Sequence, residues 1–600
     1  MPELANPKTA ITILYGSDTG TAQDYAIFLS KRLKYLSLKP RVAALDEYPL
    51  KNLVTETQFL IVICATAGQG EVPRNGKKFM RFILKKKLPP DLLNHLYIAT
   101  FGLGDSSYPK FNYAIKKIHT RLLQLGCKEL TLRCEADEQS PEGLDGYYTE
   151  WESHLMTSIK GHFPSLKPLN DSTILRPQNT VLIDKAGDDV EYAEPPKQLS
   201  CSRINVAEDL KIGTIDTNRR ITGADHFQDV RHLVIRSQGL EFVPGDTVGM
   251  FPSNSSQMVQ TLLESQKLWL PFADKPLSIK GTIPHIEGGL IEARHLTLRT
   301  LLTHHLDIMA IPTRSFFFSL WHYVDGSTED GAREKEKLQD FCNLENSEEL
   351  YNYANRPRRS IFETLLEFEN NLTIPVEHVF DLLPKVKPRL FSIASKPDPQ
   401  TVELLVGIVE YQTIIKRTRK GFCSSWIKTL QPGDPIVFSL HRQGLNFELA
   451  NGDKPPVILV STGTGVAPVK SLVEHITQTG DHQLYMFYGF RNEEQDFLFK
   501  DLWLELQRQG KLSLFPCISR SGVAKKQYVQ NGLFEQRQVV GDLIVNQNAI
   551  VYVCGSSGAM PRQVRQTIMD ILEGRDSAVE EVDQYLRVME NSGRYIQETW

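Results

Sequence analysis

Two stretches of this chain make the same local move far apart in the sequence. The apolar residues 11–15 run into Ser17-Asp18-Thr19-Gly20-Thr21-Ala22, and Val457-Ile458-Leu459-Val460 runs into Ser461-Thr462-Gly463-Thr464-Gly465-Val466-Ala467-Pro468. Both read as strand, phosphate turn, helix. Hydroxyls and backbone N–H groups at a helix start carry partial positive charge and favour a phosphate. One such turn decides little, because many strand-to-helix turns need glycine for packing only. Two turns of different chemistry in one chain point to electron transfer between two phosphate-bearing cofactors.

The chain has 600 residues, too many for one hydrophobic core, which implies three or four domains. Residues 8–158 alternate short apolar strands (11–15, 58–64, 96–101 and 129–134) with helical stretches. This is the pattern of a flavodoxin-like, doubly wound parallel sheet with ligands at the strand C-termini. Periodicity then fades: Asn170-Asp171-Ser172, Asp188-Asp189 and Pro195-Pro196 mark 159–200 as a linker. In 201–451, strand-like segments at 230–237, 246–251, 404–411 and 435–440 predict an antiparallel β-barrel, interrupted by a mostly helical insert at about 256–383. From 452 to 600 strand and helix alternate again.

Bulk chemistry excludes several classes. A net charge of −4 gives no sign of a nucleic-acid partner. The eight cysteines are scattered, none at C-x-x-C spacing, so neither a zinc site nor a disulfide framework is indicated and a reducing compartment fits best. Residues 1–10 carry no apolar signal core, and no apolar stretch approaches the roughly 20 residues of a membrane span. A soluble, cytoplasmic protein without a membrane anchor is expected; the sequence is silent on oligomeric state.

At the top of the first sheet three loops should meet. They are the turn Ser17–Ala22, the segment Ala65-Thr66-Ala67-Gly68 after the second apolar strand, and Gly102-Leu103-Gly104-Asp105 with Tyr108, Phe111 and Asn112, joined by Asp137. Tyr108 at a loop tip can stack on a planar ring, and glycines let backbone approach the ring edge. A ligand-free signalling receiver would instead cluster acidic residues at the first two strand ends, so FMN is the expected ligand. Glu135, Asp137, Glu138, Glu142 and Asp145 form an acidic segment that suits either partner docking or plain solvation.

The barrel offers Arg389-Leu390-Phe391-Ser392, where an arginine can pair bidentately with a pyrophosphate and the hydroxyl can reach a flavin's reactive nitrogen. Gly421-Phe422-Cys423-Ser424 adds donors at a helix start. Thr464 and Gly465 belong to the dinucleotide turn. Beyond them Arg491, Ser519, Arg520, Lys526, Tyr528 and Gln530 suit the 2′-phosphate that separates NADPH from NADH. Without the neighbouring turn they would read as a solvated basic loop.

In this order the motifs resemble the diflavin reductase family, whose best-known member is cytochrome P450 reductase. The resemblance runs from about Ile11 to Trp600. More narrowly, Arg219-Arg220-Ile221-Thr222-Gly223 with His226-Phe227-Gln228, then Tyr353 to Arg359, Gly421 to Trp426 and Glu598-Thr599-Trp600 are similar to the NADPH-dependent diflavin branch that serves cytosolic iron–sulfur protein assembly. The resemblance implies FMN in the first domain, FAD in the barrel, NADPH in the last domain, and a helical insert that orients the FMN module. It implies an oxidoreductase passing electrons from NADPH to FAD to FMN to a protein acceptor, in that branch the iron–sulfur protein anamorsin. It places Arg359 among the FAD ligands, Ser392, Cys554 and Glu598 on the hydride-transfer residues, and Trp600 on the aromatic that shields the flavin.

Five positions depart from the family pattern. Phe391 stands for a tyrosine, Glu598 for an aspartate, Ala67 for a stacking tyrosine, and Ser461-Thr462 for Gly-Pro. The missing N-terminal anchor argues against P450 reductase itself. The missing oxygenase domain and the absence of a tail after Trp600 argue against nitric oxide synthase. The alternatives are a soluble general reductase of haem or cobalamin proteins, and a non-catalytic scaffold with the same fold.

Overall fold

The structure is a computed structural model. It describes residues 11–67, 70–106, 110–141, 143–177, 180–185, 187–190, 203–204, 210–280, 286, 289–291, 295–413, 416–445, 454–479, 482–520, 526–574 and 581–599.

The β-branched run Ile11–Gly16 forms the opening strand of a parallel sheet, flanked by Arg41–Ala44 on one side and Phe59–Ala65 on the other. Tyr97–Gly104 follows Phe59–Ala65. The expected last strand at 129–134 is split in two: Lys128–Glu129 and Cys134–Asp137 both pair with Tyr97–Gly104. The strand Arg41–Ala44 escaped the sequence reading, because it is short and only its last residue is buried. Helices bury both faces of the sheet, which is why its strands are continuous apolar runs rather than alternating ones. Chain order reverses beside the opening strand, so the crevice at the strand C-termini is a topological switch point.

The barrel sheet is antiparallel, in the order Arg389–Ser392, Thr247–Met250, Pro435–His441, Leu210–Arg220, Val230–Arg236, Thr401–Gly407. An isolated bridge between Ile393 and Leu404 brings its two edge strands together and nearly closes it. Helices from Ser256–Ser265 to Val379–Leu382 form an insert with its own apolar core around Trp269, Phe317 and Leu365. Part of the expected linker is anchored to it, since Thr180–Ile183 pairs with Leu277–Lys280 and Val181 lies in the insert's core.

The last sheet is parallel, in the order Ser513–Ile518, Leu484–Phe490, Val457–Thr462, Ile550–Gly555, Tyr595–Thr599. Its core is continuous with the barrel: Val230, Ala394 and Leu405 lie in one cluster with Val457, Leu459 and Tyr488.

Candidate functional site

The first site is built at the C-terminal ends of the flavodoxin-like strands. Gly20 sits at φ +105°, the left-handed region, and starts the helix Thr21–Tyr35 with no side-chain cap, leaving the first-turn amides for a ligand. Ser17 Oγ accepts the Gly20 N–H at 2.9 Å and holds the turn closed. Asp18 points elsewhere, accepting the Arg74 N–H at 3.0 Å, while Thr19 and Thr21 hydroxyls lie 3.5 Å apart and Ala22 is buried. Next to the turn, Ala65 ends its strand, the Thr66 N–H donates to Leu103 O at 3.0 Å, and Ala67 pairs with Glu71. Gly102 and Gly104 lie against Asn112, whose Nδ2 donates to Ala136 O at 2.9 Å; Phe111 carries Lys116 over its ring. Asp137 accepts the Ser106 N–H at 2.9 Å; hydrogen bonds from Ser106 and Gln139 hold its carboxyl below the usual range, and Asp105 directly follows the strand Tyr97–Gly104.

Two buried polar atoms here, Thr66 Oγ1 and Asn112 Oδ1, have no hydrogen-bond partner among the described residues. Buried polar groups are ordinarily paired. An orphaned hydroxyl and amide beside open helix-start amides fit a ligand with phosphate and heteroaromatic acceptor and donor groups, as FMN has. Gly68 and Tyr108 lie outside the described residues.

The barrel rim carries the second set. Arg389-Leu390-Phe391-Ser392 is an edge strand paired with Thr247–Met250; Arg389 is exposed, and its charge acts on buried Asp307, whose carboxyl burial pushes up. Gly421 starts the helix Phe422–Thr429 with no side-chain cap. Ser424 Oγ accepts the Val409 N–H at 3.1 Å, and burial pushes the Cys423 thiol up to about 12. Open amides here, together with an exposed arginine, fit a pyrophosphate. Arg359 is engaged inside the insert, ion-paired with Glu367 and 4.2 Å from the Tyr353 ring.

Where barrel and last sheet meet, the sequence-distant hydride-transfer candidates converge. Ser392 Oγ donates to Glu598 Oε1 at 2.5 Å, and Tyr552 O–H donates to Glu598 Oε2. Cys554 is paired in register with Glu598 and fully buried. Burial, with the Glu598 charge beside it, raises the Cys554 thiol well above its ordinary value, so it stays neutral. Burial likewise raises Glu598, against the two hydroxyl donors. Tyr552 was not anticipated, although its position two residues before Cys554 on one strand places both on the same face. Trp600 lies outside the described residues.

The dinucleotide turn presses on the same spot. A Cβ at Gly465 would meet Cys554 O at 2.5 Å, so only glycine lets the turn approach the strand end. Thr464 opens a cavity of about 580 Å³ lined also by Arg491, Ser519, Tyr528 and Gln530. Arg491 and Arg520 are linked through the Arg520 N–H to Arg491 O, and Lys526 is exposed.

Comparison with known proteins agrees with this arrangement. The flavodoxin family matches residues 13–151, the FAD-binding domain family residues 207–426, and the oxidoreductase NAD-binding domain family residues 459–566. A protein of Debaryomyces hansenii named NADPH-dependent diflavin oxidoreductase 1 is 59% identical over 599 residues, covering 99% of both chains. Proteins of the same name from Candida albicans and Saccharomyces cerevisiae are 52% and 38% identical, each over 98% of this chain and 99% of its relative.

Proposed function

The chain belongs to the NADPH-dependent diflavin oxidoreductases, and from that premise we propose that it reduces the iron–sulfur protein anamorsin in cytosolic iron–sulfur cluster assembly. The acceptor is supported by the resemblance of the segments around Arg219–His226, Tyr353–Arg359, Gly421–Trp426 and Glu598–Trp600 to that branch. A cytoplasmic location goes with the same reading; among the described residues no helix is long and apolar enough to cross a membrane.

When bound, NADPH, FAD and FMN supply the hydride and the electron relay; the protein supplies orientation and electrostatics. The observation that carries the catalytic part is the Ser392–Glu598–Tyr552 chain beside Cys554. Glu598 accepts from both hydroxyls and thereby fixes the direction of the Ser392 Oγ proton. The neutral Cys554 presents an S–H, not a thiolate, to the junction. The hydrogen bond from Ser392 Oγ gives a proton there a direct path to Glu598. The turn from Ser17 to Thr21, apart from Asp18, with Thr66 and Asn112 would hold FMN; Arg389, Phe391 and the 421–424 helix start would hold FAD; Thr464, Arg491, Ser519 and Tyr528 would hold NADPH.

The test mixes purified protein anaerobically with NADPH and oxidised anamorsin and follows flavin and cluster absorbance together. Both bleach, the cluster after the flavins, if the proposal holds. Flavin bleaching without cluster bleaching overturns the acceptor and favours a general reductase of haem or cobalamin proteins. A colourless protein would favour a non-catalytic scaffold.

A further inference from the structure

The segment after the barrel strand Leu210–Arg220 is folded into a braced loop that reaches across to the last sheet. Arg220 spends its donors on shaping it: Nη2 donates to Gly223 O at 2.7 Å and His226 O at 2.9 Å, and Nε to Thr222 O at 3.2 Å. Thr222 Oγ1 closes the base by donating to Gln228 O at 2.9 Å and accepting the Val230 N–H at 3.1 Å. The loop is tied to the nucleotide module by the Gly223 N–H, which donates to Gln495 O at 2.8 Å.

From this base two adjacent side chains flank Arg491. His226 Nε2 faces Asp496 Oδ2 at 3.6 Å, and the Asp496 carboxylate accepts the Arg491 backbone N–H at 2.9 Å. Phe227, 67% exposed, carries the Arg491 guanidinium 3.8 Å from its ring centroid. At that exposure Phe227 fills no core, and its contact is with the Arg491 guanidinium. A guanidinium lying on an aromatic face keeps its in-plane N–H donors at the edge, where a phosphate can meet them bidentately. Among the described residues no acceptor is bonded to the Arg491 side chain, and Phe227, Arg491, Ser519, Tyr528 and Gln530 all line the same cavity.

We propose that Phe227, supplied by the FAD-binding barrel, is a positioning residue for dinucleotide discrimination: it holds the Arg491 guanidinium ready for the 2′-phosphate of NADPH and so sets the preference over NADH. This rests on the assignment of Arg491 and Ser519 to that phosphate. The nucleotide site is therefore shared between two modules, and a loop outside the nucleotide-binding sheet tunes its selectivity.

The experiment uses the full-length, flavin-loaded enzyme with ferricyanide as electron acceptor, and measures KM and kcat for NADPH and NADH in parallel. Phe227→Ala raises KM for NADPH about threefold to tenfold, the range a partly exposed cation–π contact supplies. KM for NADH moves by less than about twofold, and kcat for NADPH falls much less than KM rises. Phe227→Tyr restores the parent preference, Phe227→Leu does not, and adding Phe227→Ala to Arg491→Ala costs nothing further. The inference is overturned if Phe227→Ala leaves the NADPH/NADH ratio unchanged, or if KM rises equally for both dinucleotides. Arg491→Ala separates the two levels. If it also leaves the preference intact, the underlying phosphate assignment fails; if it abolishes the preference while Phe227→Ala does not, only the role of Phe227 fails.

Discussion

The barrel meets its neighbours through two interfaces of different character. Toward the nucleotide module it shares a core, with Val230, Ala394 and Leu405 packed among residues of the parallel sheet. Toward the flavodoxin-like module, the helical insert offers mostly polar groups. Arg314 donates to both Asp145 oxygens, at 3.0 and 2.7 Å, and Lys31 Nζ donates to Ser315 O and Ser319 Oγ, both at 2.7 Å. Tyr35 Oη lies 2.8 Å from His322 Nε2 and Phe28 meets Phe318 edge-on at 5.2 Å; outside the insert, Lys387 reaches Gln23. Each buried aliphatic side chain stabilises the first interface by roughly 1.5–3 kcal/mol. A buried ion pair adds little net, because desolvation cancels most of the attraction, and both partners regain water on separation. One interface is a continuous apolar core, and the other would expose only a small apolar patch around Phe318 and Leu344 on separation. That suits an FMN module that must meet FAD and then an outside protein.

The comparison breaks most visibly at Leu405. Leu405→Asp puts a carboxylate into the shared core and should cost about 4 kcal/mol or more. Calorimetry should show the barrel and nucleotide transitions falling together while the flavodoxin transition stays; a drop in all of them would mean the modules are equally coupled.

Next is the buried cluster at the same junction, where Lys470 Nζ lies 3.0 Å from both Glu403 and Glu474, and His232 bonds Glu403 at 2.9 Å. Lys470→Met removes the cation shared by the two carboxylates, leaving Glu403 with His232 and Glu474 with the Lys396 N–H, and should cost about 3 kcal/mol. Burial works to raise Glu403, but the His232 hydrogen bond and the Lys470 charge outweigh it and hold the carboxyl at about 2. A folded-state value below the unfolded one means stability that is full near neutral pH and is lost as pH falls through the acid range toward 2. In Lys470→Met this acid limb should flatten, as thermal melts across that range would reveal.

At the polar interface, Arg314→Ala should shift the docking equilibrium by about 1–3 kcal/mol toward separation. X-ray scattering should report a larger radius of gyration with unchanged melting of each module; an unchanged radius would show that the ion pair does not hold the modules together.

The smallest effect is a pH dependence at Lys31. Desolvation pulls its amine down to about 8, against the attraction of Asp381 and Asp24. The separated state binds more protons above that value, so docking tightens as pH rises, by about fivefold between pH 8 and 9. Scattering at the two pH values, with Lys31→Met as the flat control, checks the sign.

Much of this was legible from residue order. Each phosphate turn follows an apolar strand, and both turns stand at strand C-termini as expected. The barrel and the helical insert also follow the change from alternating to helical periodicity. What escaped was either short or shared. Arg41–Ala44 has too few buried residues to stand out, and the acidic segment was ambiguous until Asp145 was found bonded to Arg314 rather than merely solvated. Tyr552 was given no role, and the His226-Phe227 pair carried a resemblance but no role.

The sequence by itself determined the three modules, their order and the cofactor chemistry each can hold, because strands, turns and helix starts are local and their periodicity is written in neighbouring residues. Only the tertiary structure decided which groups act together. Ser392 meets Glu598, Phe227 meets Arg491, and Arg314 meets Asp145 between residues far apart in the chain, and no local pattern encodes such a pair. These contacts exist because the barrel and nucleotide sheets share one core, while the flavodoxin module is held by ion pairs, hydrogen bonds and a small aromatic contact at Phe318, a weaker attachment than a shared core.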